Sequence, residues 1–431
     1  MTALLIKKII IIILYSIQLT LFYLCNDNGL IYDTIYELII SLGPIFIKFG
    51  QWMANRTDLL PDELCTLLKS LQDNCTCHEW KHTQKIIDEL PIEISDHLYI
   101  RQKIIGSGCI AQVYKGIYHN KSVAIKVIHP NIIQETHDSI KILKLIIKYC
   151  TLVPDIKKVN KSFRFDSFYQ LIQDQSNLIN EANNIIQFTK IYNKTTTKTS
   201  TPNNNCPFII PTLYYYNSNI IIESFEDGLS LQEIKLNYPD KMDESIGKLW
   251  KLYHLMINNN LIHGDFHPGN IKIRINSKTN IITPVLLDYG IVSKLDNKRH
   301  QLLKESFEYI CFPDMEKVVE LLLLSNIAKM TSKQKLQFKE HNVQYFKKMG
   351  IQGMHQNVKK YGILHGCSKQ NLDMYKRDPK LISEFLNIAD KSGIVLDLDF
   401  MNILLGISLL ENYNNVYSPD NLTNIIKYIF I

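Results

Sequence analysis

The stretch His263-Gly264-Asp265-Phe266-His267-Pro268-Gly269-Asn270, followed by Leu286-Leu287-Asp288-Tyr289-Gly290, holds the residues best suited to chemistry. Asp265 is followed five residues on by an asparagine. A second aspartate comes after two short apolar runs, Ile271 to Ile275 and Ile281 to Leu287. This is the layout of phosphoryl transfer. Asp265 can accept the proton of an attacking hydroxyl, and Asn270 and Asp288 can hold magnesium on nucleotide phosphates. The apolar runs predict two strands whose ends bring the three oxygens together. An aspartate in a turn commonly caps its own loop, but the neighbouring His263, His267, Asn270 and Asp288 favour catalysis. His267-Pro268-Gly269 predicts a tight loop, which His263 is expected to orient through hydrogen bonds.

The elements that would position a nucleotide lie upstream. Lys126 ends the strand-like Val123-Ala124-Ile125-Lys126, a place suited to a lysine that pairs α/β phosphates. Glu181, in a predicted helix, is its expected partner. Gly106-Ser107-Gly108-Cys109 falls between two predicted strands, where glycines would let backbone amides approach phosphate oxygens. Ile220 to Gly228 reads as a linker whose backbone around Glu223 and Phe225 could pair with an adenine edge.

At 431 residues and 46% apolar, the chain can build two or three units around substantial cores. The net charge of +6 is mild and scattered, and no Lys/Arg run marks a nucleic-acid partner. Nine dispersed cysteines fit a reducing compartment. Cys75-Thr76-Cys77-His78 lacks a second ligand pair at zinc spacing. Residues 1–28 form an apolar N-terminal segment, running from Ile9 to Cys25 after Lys7 and Lys8. A membrane anchor, a targeting segment and a buried helix all remain open for it. A spanning reading conflicts with the charges, because Lys7 and Lys8 precede the segment while Asp27, Asp33 and Glu37 follow it.

Periodicity predicts helices over 29–96, strands from His97 through Ile128, and helices over Ile140 to Tyr149 and Phe168 to Phe188. A loop is expected over Thr195 to Cys206, then two strands between Phe208 and Glu223. Helices are expected from Ser230 to Asn260 and from Asn297 to the end. The expected architecture is α+β and bilobal: a helical extension at 29–96, a β-rich lobe at 97–228 and a helical lobe at 229–431.

Together these residues resemble a protein-kinase-like fold. Leu42 to Leu64 narrows the resemblance to the UbiB or ADCK-type atypical kinases, through Lys48, Gly50, Gln51, Arg56, Asp58 and Pro61. The resemblance runs from about Asp33 to at least Lys329. It implies an ATP- and magnesium-dependent kinase or ATPase tied to coenzyme Q or other isoprenoid lipids, with a membrane lipid or quinone precursor as partner and a membrane-associated location. It implies that Lys126 is the nucleotide lysine with Glu181 its partner, Asp265 the catalytic-loop aspartate, and Asn270 and Asp288 the magnesium ligands. Lys48 and Gln51 would point into the cleft, beneath the extension.

The chain departs from that family in two places. Gly106-Ser107-Gly108-Cys109 replaces an alanine-rich loop, and Gln175-Ser176-Asn177 replaces a Glu-x-Asp pair. The exchanged amides are expected to hold the extension less firmly than carboxylates would. No Ala-Pro-Glu segment follows Asp288. Two rivals remain: a nucleotide-binding pseudokinase scaffold, and a small-molecule kinase of the aminoglycoside or choline phosphotransferase type, which lacks the Lys48 to Pro61 extension.

Overall fold

The computed structural model describes residues 3–54, 60–73, 77–150, 165–194, 207–308, 314–326, 330–348, 356, 392, 394 and 396–417. The chain divides into two compact units. The first is Met1–Asn183 with Thr212–Phe225, and the second is Asn184–Pro211 with Glu226–Ile431. Arg56 and Asp58, the Thr195 to Cys206 loop, Cys75 and Lys329 lie outside the described residues.

In the first unit an all-antiparallel sheet runs in the order β1-β2-β3-β5-β4. Its strands are β1 (Leu98–Ser107), β2 (Ala111–Tyr118), β3 (Lys121–Ile128), β4 (Leu213–Tyr216) and β5 (Ile220–Ser224). Alternation explains β2 and β3: Val123, Ile125 and Val127 are fully buried, while the residues between them are more exposed. Among the described residues, eight α-helices lie wholly within the unit beside the sheet. They are α1 (Ala3–Leu24), α2 (Asn28–Leu42), α3 (Pro44–Met53), α4 (Asp62–Lys69), α5 (Trp80–Asp88), α6 (Ile92–Ser95), α7 (Ile132–Cys150) and α8 (Phe165–Gln175). One core joins helix residues Leu42, Ile45, Phe46, Leu68 and Ile86 to the strand residues Tyr114, Val123 and Ile125. The segment read as an extension is therefore packed on the sheet as part of the same unit.

Helix α1 differs from the sequence expectation at its start. It begins at Ala3, so Lys8 is not a flanking charge but part of the helix. The Lys8 side chain is buried, donating to Ser139 Oγ at 2.7 Å and Glu135 Oε1 at 3.2 Å on α7. Its ammonium also sits 5.6 Å from the Phe46 ring centroid. Beyond this root, Ile10, Ile13, Leu14, Ile17 and Leu21 are exposed. Among the described residues, Leu5–Leu24 is the one stretch long and apolar enough to cross a membrane.

The single helix expected over Phe168 to Phe188 is broken into α8 and α9 (Leu178–Lys194). The reason is local. Ser176 Oγ bonds back to the Ile172 carbonyl at 2.7 Å, and Asn177 Oδ1 accepts the Ile179 amide at 3.0 Å. Short polar side chains here compete for the backbone and start a new helix. The unit division passes through α9, after Asn183. Helix α7 likewise starts at Ile132, earlier than the expected Ile140.

The second unit is built around α11 (Met242–Asn259), preceded by α10 (Leu231–Asn237). Ser230 and Glu233 form a reciprocal capping box on α10. Trp250, Tyr253 and Met256 of α11 are wholly buried. Such burial stabilises by roughly 1.5–3 kcal/mol per large side chain. Two short antiparallel pairs follow: β6 (Ile262–His263) pairs with β9 (Val292–Ser293), and β7 (Ile271–Ile275) with β8 (Ile282–Leu286). Then come α12 (Asn297–Ser306), α13 (Met315–Ser325), α14 (Ser332–Lys348) and α15 (Leu398–Tyr417). Helix α15 is mostly buried, with Phe400, Ile403, Leu404 and Leu410 at 0% exposure. Gly406 lets α15 pass close to α11, where any Cβ would collide with the Tyr253 hydroxyl.

Candidate active site

In the first unit, strand β3 and helix α9 deliver an ion pair. Lys126 Nζ lies 2.8 and 2.7 Å from the two carboxylate oxygens of Glu181. The two side chains are 17% and 7% exposed. Lys126 is fixed because β3 is an interior strand, with Lys126 opposite Val113 on one side and Ile221 on the other. Glu181 is fixed because α9 starts at the Asn177 cap, placing the carboxylate in the first turn. A carboxylate at a helix N-terminus is also favoured by the helix dipole.

The turn between β1 and β2 differs from expectation. Gly106 and Ser107 lie in β1, opposite Val113 and Gln112. The Gly108 amide donates to the Ala111 carbonyl at 2.9 Å and so is occupied within the turn. A Cβ at Gly106 would meet nothing within 4 Å, and one at Gly108 only the Ala111 carbonyl at 3.7 Å. Neither glycine has the positive φ that would demand glycine. Gly106→Ala and Gly108→Ala should therefore each raise stability by about 0.4–1 kcal/mol, by restricting the unfolded chain. A higher thermal midpoint in each variant checks this. Cys109 is buried.

Glu223 lies within β5, between Ala124 of β3 and Leu213 of β4. The Phe225 amide donates to the Ser122 carbonyl at 3.0 Å, so the donor expected for an adenine edge is engaged in the sheet edge. The Phe225 ring carries the Lys115 ammonium 3.7 Å from its centroid. Lys48 is half-buried on α3. Gln51, on the same helix, donates its amide to the Leu71 carbonyl at 3.1 Å, which ties α3 to the turn after α4. Of the amides in the altered Glu-x-Asp position, Asn177 caps α9, while Gln175 Oε1 is buried without a hydrogen-bond partner.

In the second unit, the loop from His263 to Asn270 is held from inside by one imidazole. His263 is completely buried. Its Nε2 lies 3.1 Å from the Leu287 carbonyl, and its Nδ1 accepts the Asp265 amide at 3.3 Å. A carbonyl can only accept, so Nε2 carries the proton and the ring is neutral. Burial holds this histidine below the ordinary imidazole range, against the pull of Asp265 and Asp288. The expected orienting role of His263 thus has a definite form: it links the main chain at Asp265 to the residue before Asp288.

Other bonds close the same loop. The Asn270 side-chain nitrogen donates to the Asp265 carbonyl at 3.1 Å, and the Leu287 amide donates to the Asn270 carbonyl at 2.9 Å. The Asn270 Oδ1 is thereby the oxygen left for a cation. His267 receives the Gly269 amide on Nδ1 at 3.0 Å, and its Nε2 lies 3.7 Å from Asp265 Oδ2. Asp288 has φ of 53°, a left-handed conformation that costs energy for a non-glycine residue. Its Oδ1 accepts the Gly290 amide at 3.1 Å, which helps to hold it. The Asp288 carboxylate and the Asn270 amide oxygen make a hard donor pair that would suit magnesium and not a soft metal. Among the described residues no cluster of three His, Cys, Asp or Glu side chains could hold a metal alone. Phosphate oxygens would have to complete the coordination, as is usual for magnesium.

One residue of this site carried no signal in the sequence. The Tyr413 hydroxyl of α15 donates to the Phe266 carbonyl at 2.8 Å, across 147 positions. Burial, with the Asp265 charge nearby, pushes this phenol up, so it stays a donor. Tyr413→Phe should cost about 1 kcal/mol of stability. Any turnover should fall several-fold while nucleotide affinity holds, a split that steady-state and equilibrium binding measurements resolve.

The ABC1 atypical kinase-like domain matches residues 70–322, more than half of the chain. The chain belongs to that family. Its fold is accordingly kinase-like, with the antiparallel sheet and the loop at His263 to Asn270 in the matched part. It is 27% identical over 320 residues to a mitochondrial ABC1 family protein of Saccharomyces cerevisiae, covering 65% of this chain and 48% of the relative. It is 26% identical over 293 residues to the probable protein kinase UbiB of Providencia stuartii, covering 65% and 51%. With the probable serine/threonine-protein kinase abkC of Dictyostelium discoideum it shares 27% over 256 residues, covering 58% and 36%. The chain thus spans about half the length, or less, of the curated relatives it matches. Among solved structures it aligns with the erythromycin complex of Rv3197 from Mycobacterium tuberculosis at 16% identity and a TM-score of 0.41, covering 86% of this chain and 91% of that one. Helix α15 and its Tyr413 lie beyond the part of the chain that the ABC1 domain matches.

Proposed function

We propose that this ABC1 family chain is an atypical kinase or ATPase that binds Mg-ATP and transfers or hydrolyses the γ-phosphate. The observation that carries the proposal is the wiring of the loop: one buried neutral imidazole and one asparagine join Asp265 to the segment bearing Asp288. In this reading Asp265 orients the attacking oxygen and receives its proton. Asn270 and Asp288 hold magnesium, which neutralises charge on the phosphates when bound. Lys126, aimed by Glu181, pairs with the α/β phosphates. Gly106, Ser107, Gly108 and Cys109 form the turn beside the nucleotide, and Glu223 and Phe225 flank the adenine. Lys48 and Gln51 belong to the part that restricts access.

The acceptor in this proposal is a membrane lipid or a quinone precursor. The exposed apolar run of α1 supports a membrane-associated location. Phosphate release should be measured with Mg-ATP for wild type and Asp288→Asn, with and without anionic liposomes and an isoprenoid phenol. The expected result is turnover that lipid stimulates and the substitution removes. Equal release by both proteins would overturn the reading. Nucleotide binding with no phosphate released and none transferred to the phenol would instead make the chain a scaffold.

A further inference from the structure

Three histidines that the proposed chemistry does not use meet where the pre-sheet helices join the β1–β2 turn. His78 Nδ1 lies 2.7 Å from His129 Nδ1. His129, which follows β3, is buried and grips the turn twice. Its amide donates to the Ile110 carbonyl at 2.8 Å, and its Nε2 lies 2.9 Å from the Gly108 carbonyl. His78 Nε2 lies 2.8 Å from Thr83 Oγ1 of α5, and Thr83 Oγ1 lies 2.8 Å from the Tyr114 hydroxyl of β2. Gln112 closes the ring. It accepts the His78 amide at 2.9 Å, donates to the His78 carbonyl at 3.2 Å, and also donates to the Tyr114 hydroxyl.

The direction of every bond in this chain follows from one fact. The Gly108 carbonyl can only accept, so His129 carries its proton on Nε2. Its Nδ1 must then accept from His78 Nδ1–H, and His78 Nε2 must accept from Thr83. Thr83 in turn accepts from Tyr114, whose oxygen accepts from Gln112. All donors and acceptors are matched only when both rings are neutral. A second proton on His129 would face the one on His78. Reversing the chain would leave the buried Tyr114 proton with no acceptor in it.

We infer that His129 and His78 are positioning residues that hold the β1–β2 turn in place through the Gly108 carbonyl, and that the pair holds it only while both rings are neutral. This rests on the proposal that the turn lies beside the nucleotide. The charged and titratable groups around the pair are His82 on α5, Glu135 on α7 with its partner Lys8 on α1, and Tyr114 on β2. Glu135 attracts a proton to His129, but burial and His82 oppose it. Burial, then His129 and His82, pushes His78 down to about 4. A depressed base stabilises above its unfolded value near 6.5, and that stability is lost as pH falls from there toward 4. Opening of the turn should become easier over that interval. For His78, which is only half-buried, the expected gain is roughly tenfold by about pH 5 after allowance for screening.

The test is amide hydrogen exchange of residues 106–110 in the full chain, corrected for intrinsic chemistry, at about pH 7.5 and about pH 5. Wild type, His129→Ala, and the non-titrating pair His129→Gln with His78→Asn are compared. Exchange in wild type should rise roughly tenfold at the lower pH. His129→Ala should be open at both values. The Gln/Asn variant, which retains neutral amide donors near the Nε2 and Nδ1 positions, should show little pH dependence. A wild-type turn that follows intrinsic chemistry throughout, or a His129→Ala turn as protected as wild type, would overturn the inference. Mg-ATP titration calorimetry on the same proteins separates the two claims. Affinity that falls with turn protection supports both. Unchanged affinity in an opened turn sinks the positioning role, whereas no binding to wild type at either pH sinks the nucleotide reading and leaves exchange to decide the rest.

Discussion

Asp265→Asn should lower phosphate release by about 10²–10⁴-fold, the usual contribution of a positioned base, while leaving the chain folded. The substitution preserves shape and removes one charge. The loop should survive because its main chain is held by bonds that do not involve the Asp265 carboxylate. The Asp265 amide bonds to His263, its carbonyl receives Asn270 and His267, and Phe266 is held by Tyr413. Nucleotide affinity should change by less than about tenfold, since the lost group acts on the nucleophile and not on the triphosphate. A variant with full turnover would remove Asp265 from the mechanism. A variant that fails to fold would show that the carboxylate is structural.

The second large effect is expected from Glu181→Gln. Lys126 and Glu181 are both mostly buried and share two short contacts. Removing one charge leaves the other desolvated, which typically costs about 3–5 kcal/mol; at 17% exposure Lys126 should fall at or below the lower end. The loss should appear in a denaturant midpoint and, separately, as at least tenfold weaker Mg-ATP binding. Replacing both members, Lys126→Met with Glu181→Leu, should restore most of the stability without restoring binding. If the double replacement bound nucleotide normally, the pair would be only a fold element.

The loop from His263 to Asn270 was legible as a candidate site because its residues lie close in sequence and the roles proposed for it depend on spacing. The β1-to-β3 meander was legible from alternation and from short connections. The Lys126 and Glu181 pairing lies 55 positions apart and was expected from a strand-end lysine upstream of a helix carrying a carboxylate, not from periodicity. Tyr413 was not legible: α15 is mostly buried, and a tyrosine in such a helix reads as core. Neither was the His78–His129 contact, because two isolated histidines 51 positions apart leave no periodic trace. The break at Ser176 and Asn177 did have a signal, an Asn immediately before an apolar helical run, which marks a helix start. The glycines at 106 and 108 misled in the opposite direction. Their residue type suggested special backbone freedom that the turn does not use.

The left-handed backbone at Asp288 shapes how this chain could decay if selection relaxed. Only asparagine, aspartate and glycine adopt that conformation at low cost. Glutamate would keep a charge but strain the loop, and most other residues would damage the fold as well as the chemistry. Asp288→Asn alone keeps both the shape and the local hydrogen-bonding oxygen. A duplicate copy drifting toward a non-catalytic life would therefore pass most easily through that single replacement. If Asp288 holds magnesium as proposed, an aspartate at this place among descendants would report continued use, and an asparagine would be the earliest mark of retirement.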